Sequence, residues 1–163
     1  MKQRDQVAMT PAETAELLAG GRKVQLATNG PDGFPHLVTM YYVLMDGLIT
    51  FWTYRRSQKA RNLERDRRIS CLVETGEEYF DLRGVLVQGM ATRIEDPAVI
   101  AEIGSRVTKV VAAGGGPDSA AAPDAADAMQ QYVQHAARKR YGYQVEPQRI
   151  ISWDHAKLLA TQG

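Results

Sequence analysis

The sequence predicts a mainly β fold: about seven antiparallel strands closing into a barrel, with α-helices at its periphery. Three observations predict it. Short segments of alternating apolar and polar residues recur along the chain, separated by turn clusters such as Asn29-Gly30-Pro31-Asp32-Gly33 and Asp46-Gly47. Most strands follow one another through short connections, which makes neighbours antiparallel. With about this many strands, closure is the natural way to remove exposed sheet edges.

The elements follow in order. Thr10-Pro11-Ala12-Glu13 is a helix start, with Thr10 as cap, Pro11 in the first turn and Glu13 reaching back; Gly20-Gly21 stop the helix. Arg22 to Thr28 reads as a strand with Val24, Leu26 and Thr28 on one face. Phe34 to Leu44 is the second strand, and Asp46-Gly47 turns it tightly into the third, Leu48 to Tyr54. These strands form a meander, so that His36 to Met40 are expected to lie beside Leu48 to Thr53. Ser57 caps a short helix to Asp66, with Ala60 and Leu63 on one side. Strands follow over Arg68 to Glu74 and Leu82 to Glu95, the second carrying Gly84 and Gly89 where a bend or bulge is expected. Helices are expected from Pro97 to Val111 and from Asp124 to Arg140. A final strand pair, Tyr143 to Val145 and Gln148 to Trp153, turns at Glu146-Pro147.

The 163 residues suit one domain, 1–163, with a helical insertion at about 97–140 and a mobile Gly/Ala-rich loop at 112–123. A net charge of +1 argues against a nucleic-acid binder, which would carry a basic surplus. The single cysteine, Cys71, sits in the apolar run Ile69-Ser70-Cys71-Leu72-Val73 and reads as a buried core thiol. One thiol forms no internal disulfide, and no signal peptide or membrane span is apparent, so a cytoplasmic location is expected.

Several chemistries lack their signatures. There is no Gly-x-Gly-x-x-Gly after a strand, no P-loop and no nucleophile elbow. His36, His135 and His155 show no metal-ligand spacing, so no metal site is expected. The strongest local feature is Trp52-Thr53-Tyr54-Arg55-Arg56-Ser57-Gln58-Lys59-Ala60-Arg61-Asn62-Leu63, where a strand ends and a helix begins. Helix-start amides, the Ser57 hydroxyl and the cations Arg55 and Lys59 would converge on an anion, and a phosphate fits. The same run also suits a solvated basic helix face, and the residues alone leave both readings open. A second feature is His36-Leu37-Val38-Thr39-Met40, an extended backbone that a flat ring can lie against, or a plain core strand. A third is Ile151-Ser152-Trp153-Asp154-His155-Ala156-Lys157, where Trp153 either edges a pocket or interface or simply packs.

In this order the features resemble the pyridoxamine-phosphate-oxidase-like split barrels, and within them the actinobacterial flavin/deazaflavin oxidoreductases of group B. The matching residues are Leu26-Ala27-Thr28, Gly33, Pro35-His36, Asp46-Gly47, Ser57, Lys59, Asn62-Leu63, Asp66, Leu82-Arg83-Gly84-Val85, Gly89 and Ser152-Trp153-Asp154-His155 with Lys157. They cover about residues 10 to 97 and 141 to 157. One departure is Arg67, which follows Asp66 where the family often has proline.

The resemblance implies a Greek-key split barrel of six to seven strands that forms a homodimer, with two cofactor clefts shared between subunits. Members use FMN or the deazaflavin coenzyme F-420 (8-hydroxy-5-deazaflavin), some bind haem, and F-420 is the commoner cofactor of this subgroup. Carried over by position, the ring lies along Pro35 to Met40, which brings in His36, Val38, Thr39 and Met40. Trp52 and Thr53 line the ribityl chain, and Ser57, Lys59 and Arg55 hold the phosphate. Asn62 supports that loop, and Trp153 reaches the other subunit's cofactor. The implied activity is hydride transfer from reduced F-420 to a small unsaturated or quinone-like substrate. The alternatives are an FMN-dependent oxidase or reductase, a non-catalytic carrier, and a haem barrel with His155 as ligand. No catalytic residue is assigned; Tyr41, Tyr42 and His36 are candidates for a proton donor.

Overall fold

A computed structural model describes residues 3–114 and 123–160. Most of the Gly/Ala-rich stretch, 115–122, lies outside the described residues. The elements are α1 (Gln3–Val7), α2 (Pro11–Gly20), β1 (Lys23–Asn29), β2 (Pro35–Tyr41), β3 (Val43–Met45), β4 (Leu48–Tyr54), α3 (Gln58–Arg65), β5 (Arg68–Thr75), β6 (Arg83–Ile94), α4 (Pro97–Ala112), α5 (Pro123–Ala137), β7 (Arg140–Asp154) and α6 (Lys157–Ala160). The seven strands form one antiparallel sheet in the order β2-β1-β5-β6-β7-β4-β3. Two neighbour pairs, β1–β5 and β7–β4, join strands that are not consecutive, which gives the sheet its Greek-key character. The fold is mainly β, as the alternation of apolar residues predicts.

Two strands differ from expectation. The segment Phe34 to Leu44 is broken at Tyr42. β2 pairs with β1 in the register Thr28↔His36 to Val24↔Met40, whereas β3 pairs with β4. His36 to Met40 therefore do not lie beside Leu48 to Thr53, because the chain changes partner at Tyr42 instead of continuing the meander. The expected turn at Glu146-Pro147 is also absent: β7 is one continuous strand. Gln88 pairs with Arg149 and Gly89 with Pro147, so Gln148 is an extra residue in a β-bulge. A bulge tolerates a proline, whose missing N–H would otherwise break the ladder. Gly89 meets a physical need here, since a Cβ would stand 2.1 Å from the Glu146 carbonyl oxygen.

β2 and β3 are the two edges of the sheet, yet only Tyr42 separates them in the chain. The edges must therefore meet, and the sheet must curl into a barrel. Tyr42 is 1% exposed. Its N–H donates to the Arg22 carbonyl at 3.3 Å, and its hydroxyl donates to the Leu18 carbonyl. Leu18 lies in the last turn of α2, where carbonyls lack helical partners.

The barrel interior holds Val24 and Leu26 of β1, Phe51 of β4, Ile69, Cys71 and Val73 of β5, Val85 and Val87 of β6, and Tyr143 and Val145 of β7. Cys71 is fully enclosed, and burial pushes its thiol up to about 12, as suits an inert core residue. A second core joins Trp52 on the outer face of β4 to Ile100, Ile103 and Val107 of α4 and Val133 of α5. Gly104 lets α4 approach this closely: a Cβ there would stand 2.5 Å from the Trp52 ring. Among the described residues, no helix is long and apolar enough to cross a membrane.

Local chemistry holds where turns and caps decide it. Asp46 and Gly47 take φ of 54° and 76°, the left-handed pair of a tight hairpin turn. Thr10 and Glu13 form the expected capping box. Replacing Tyr42 with phenylalanine keeps the packing but leaves the buried Leu18 carbonyl unpaired, so Tyr42→Phe should lower unfolding free energy by about 1–3 kcal/mol in urea denaturation.

Candidate functional site

β4 is buried on both faces. Ile49 and Phe51 point into the barrel, and Thr53, two residues on, shares their face at the strand's end. Three residues then turn the chain into α3. Ser57 has extended backbone (φ −68°, ψ 155°) and caps the helix, its hydroxyl accepting from the Ala60 N–H at 3.3 Å. The Ser57 and Thr53 hydroxyls are 3.2 Å apart, and Lys59 Nζ donates to Thr53 Oγ1 at 3.2 Å. Strand end and helix start thus place two hydroxyls and an ammonium within one contact shell.

Lys59 is half-buried, and burial lowers its pKa from the usual lysine value. Among the described residues no carboxylate pairs with it. A partly desolvated cation whose one partner among the described residues is a hydroxyl is poised to receive an anion.

Asn62, one turn further along α3, is fully buried. Its Oδ1 accepts from Gln58 Nε2 at 2.8 Å and Arg65 Nη2 at 3.1 Å, and its Nδ2 donates to Thr28 Oγ1 at 3.0 Å. Thr28 is the cross-strand partner of His36. Asn62 therefore docks α3 onto β1, beside the start of β2, and supports the Ser57–Lys59 turn from beneath.

The other expected site residues lie as follows. On β2, Val38 and Met40 pack against the barrel core, and Thr39 is exposed on the opposite face with Leu37. A ring laid along the outer face would meet Leu37, Thr39 and backbone, while Val38 and Met40 shape it from behind. His36 is half-buried on the inward side. Arg55 Nε donates to the Arg140 carbonyl at 3.2 Å, and its guanidinium lies 4.9 Å from the ring centre of Tyr141, the cross-strand partner of Thr53. Trp52 faces α4 and α5. Trp153 covers Gly84 on β6, where a Cβ would stand 2.2 Å from its ring. It lies thirteen residues along β7 from Arg140, roughly 40 Å of extended strand.

Tyr42 leaves the group of proton donors. Its hydroxyl is committed to Leu18, and burial pushes its pKa up to about 12. His155 hydrogen-bonds the Tyr79 carbonyl through Nδ1 at 2.8 Å and lies 4.7 Å from the Tyr79 ring centre, at the Trp153 end of the barrel. Among the described residues no cluster of histidine, cysteine and carboxylate side chains is placed to hold a metal ion.

Two residues escaped the sequence reading. Thr28 reads from the sequence as a strand position and a family match, with nothing to mark it as the partner of Asn62. Arg140 read as the end of a helix, whereas it opens β7 and is 9% exposed.

A seven-stranded antiparallel barrel whose two edges meet at one residue, with a cation and hydroxyls at a strand-to-helix turn, defines the split-barrel class. The sequence profile of the pyridoxamine 5′-phosphate oxidase family matches residues 10–154. The chain belongs to that family. It is similar to the conserved hypothetical protein Rv2991 of Mycobacterium tuberculosis, with 39% identity, a TM-score of 0.81, and coverage of 97% of this chain and 92% of that one. A structure named F420 reductase shares 22% identity over 86% of this chain and 98% of that one, with a TM-score of 0.61. A FAD-binding protein of Mesorhizobium loti shares 17% identity over 89% and 94%, with a TM-score of 0.63. A comparison with curated proteins found no match.

The Asn62 network generates a stability expectation. Asn62→Ala removes a buried amide that satisfies three neighbours, and should cost about 1–3 kcal/mol in urea denaturation. A cost within error of zero would show that α3 docks by its apolar residues alone.

Proposed function

We propose that this chain is an oxidoreductase that binds coenzyme F-420, its phosphate anchored by Lys59, Ser57 and Thr53, and acts on a small unsaturated or quinone-like substrate. The observation that carries the reading is the half-buried Lys59, without a carboxylate partner among the described residues, set against two hydroxyls at a helix start. The donor set fits a phosphodiester: a point charge, a hydroxyl that can rotate toward the anion, and amides of the first helical turn. When bound, the deazaflavin supplies hydride chemistry that no side chain offers. Lys59 offsets the phosphate charge, Ser57 and Thr53 orient it, and Asn62 holds the turn rigid. Exposed Arg56 and Arg61 on the same segment suit the carboxylates of the F-420 tail, which FMN lacks. The likeness to a protein named F420 reductase is in keeping with this reading.

Trp153 stands too far along β7 to reach the Lys59 site of its own chain, so its expected role requires a second copy. Exposed Phe34 and Leu37 beside β1 and Ile150 on β7 offer apolar surface for that contact. The proposed assembly is a homodimer, and sedimentation equilibrium should report twice the 18.0 kDa chain mass. A monomer at micromolar concentration would remove Trp153 from the site.

The cofactor reading is tested by fluorescence titration with F-420 and FMN in parallel. F-420 should bind, and Lys59→Met should weaken it roughly tenfold or more, the scale of a charged hydrogen bond. Burial lowers the Lys59 pKa, so its charge is lost at a less alkaline pH than an ordinary lysine's. Affinity should therefore fall as pH rises through that range, and Lys59→Met should flatten the dependence. The same variant should melt no lower than the wild type, because it removes an unpaired, partly buried charge. Tight binding of FMN alone would place the chain with FMN enzymes instead.

A further inference from the structure

We propose a second ligand site: a cleft between α4, α5 and the outer face of β4 that takes a small amphipathic carboxylate, its head group held by Arg140. The cleft has a volume of about 700 Å³, within the range of small-molecule sites. Its walls are largely apolar, formed by Trp52, Val107, Val111, Met129 and Tyr132, and Arg140 supplies its charge. Among the described residues no carboxylate lines it.

Arg140 is 9% exposed, a burial that an arginine rarely tolerates without a counter-ion. Its guanidinium is clamped between rings, 4.0 Å from the Tyr54 centre and 4.5 Å from that of Trp52. One nitrogen, Nη1, donates to the Ala136 carbonyl at 3.1 Å. Among the described residues Nε and Nη2 have no protein acceptor, and neither is sealed from accessible space. Among the described residues no carboxylate pairs with Arg140. The geometry is a fixed, oriented fork with free donors at an apolar cleft. A carboxylate matches the fork in two parallel hydrogen bonds, and an apolar body matches the walls. A fully hydrated anion would gain little from such walls.

This site is distinct from the phosphate anchor. Trp52 and Arg140 serve the helix side of β4, and Thr53 and Lys59 lie at its barrel side. The inference stands without the F-420 reading.

Octanoate is the probe and 1-octanol its uncharged control, each titrated by calorimetry into the full chain. Octanoate should bind saturably, and octanol roughly tenfold or more weakly, the scale of a charged hydrogen bond. In a Trp153→Phe background Trp52 is the only tryptophan, and octanoate should change its emission. Arg140→Met should lose the preference for octanoate. Since Arg140 also packs between rings, Ala128→Trp provides a second variant: it fills the cleft from α5, leaves Arg140 in place and should abolish binding with an unchanged circular dichroism spectrum. Lys59→Met should bind octanoate as the wild type does. Equal affinity for acid and alcohol, no saturable binding, or wild-type binding by Ala128→Trp would overturn the proposal. Loss of octanoate binding in a folded Lys59→Met would overturn it too, by placing the acid at the phosphate anchor.

Discussion

The stretch from Pro35 to Met45 serves both edges of one sheet, and Tyr42 is where it passes from one edge to the other. That constraint sets the shape of the molecule. Two edges a single residue apart cannot belong to an open sheet, so the strands between them must curl. The crossover is tied down at its centre, because Tyr42 donates its N–H to the Arg22 carbonyl, just before β1, and its hydroxyl to the Leu18 carbonyl in the last turn of α2. Curling in turn makes β4 a strand buried on both faces, with the barrel on one side and α4 and α5 on the other.

The chemistry of the chain follows from that double burial. Where β4 ends, its alternation separates two cations. Lys59 reaches back to Thr53 at the barrel side, and Arg140 stacks on Trp52 and Tyr54 at the helix side. Each is partly or largely desolvated, and neither has a carboxylate among the described residues. Charges held in this way destabilise the empty protein and favour an anion when one arrives. The proposed partners are a phosphate at the first and a carboxylate at the second. Asn62 and Gly104 serve these sites indirectly, the first by docking α3 on Thr28 and the second by letting α4 close on Trp52.

The sequence was legible wherever local chemistry decides structure. Asp46-Gly47, the Thr10–Glu13 box and the Ser57 cap all rest on residues within a few positions of one another, and all appear as read. It was misleading where a distant partner decides. The break at Tyr42 leaves the alternation on both sides intact, so nothing nearby marks the change of neighbour. Glu146-Pro147 has the composition of a turn, and only Gly89 on the opposite strand makes it a bulge. The five residues of α1 are too few for a helical period to show. At the anchor, residue types pointed to Ser57 and Lys59, but the turn of Arg55 toward β7 and the opening of Arg140 into a cleft depend on tertiary packing. The resemblance to deazaflavin oxidoreductases carried the fold and family further than the residues alone.

The central claim is that the turn from Thr53 to Lys59 anchors a cofactor phosphate, and a crystal structure of the F-420 complex tests it most directly. The account predicts phosphate oxygens within hydrogen-bonding distance of Lys59 Nζ and the Ser57 hydroxyl, with Asn62 still bonded to Thr28. A phosphate seated elsewhere, with Lys59 Nζ still bonded to Thr53 alone, would contradict it.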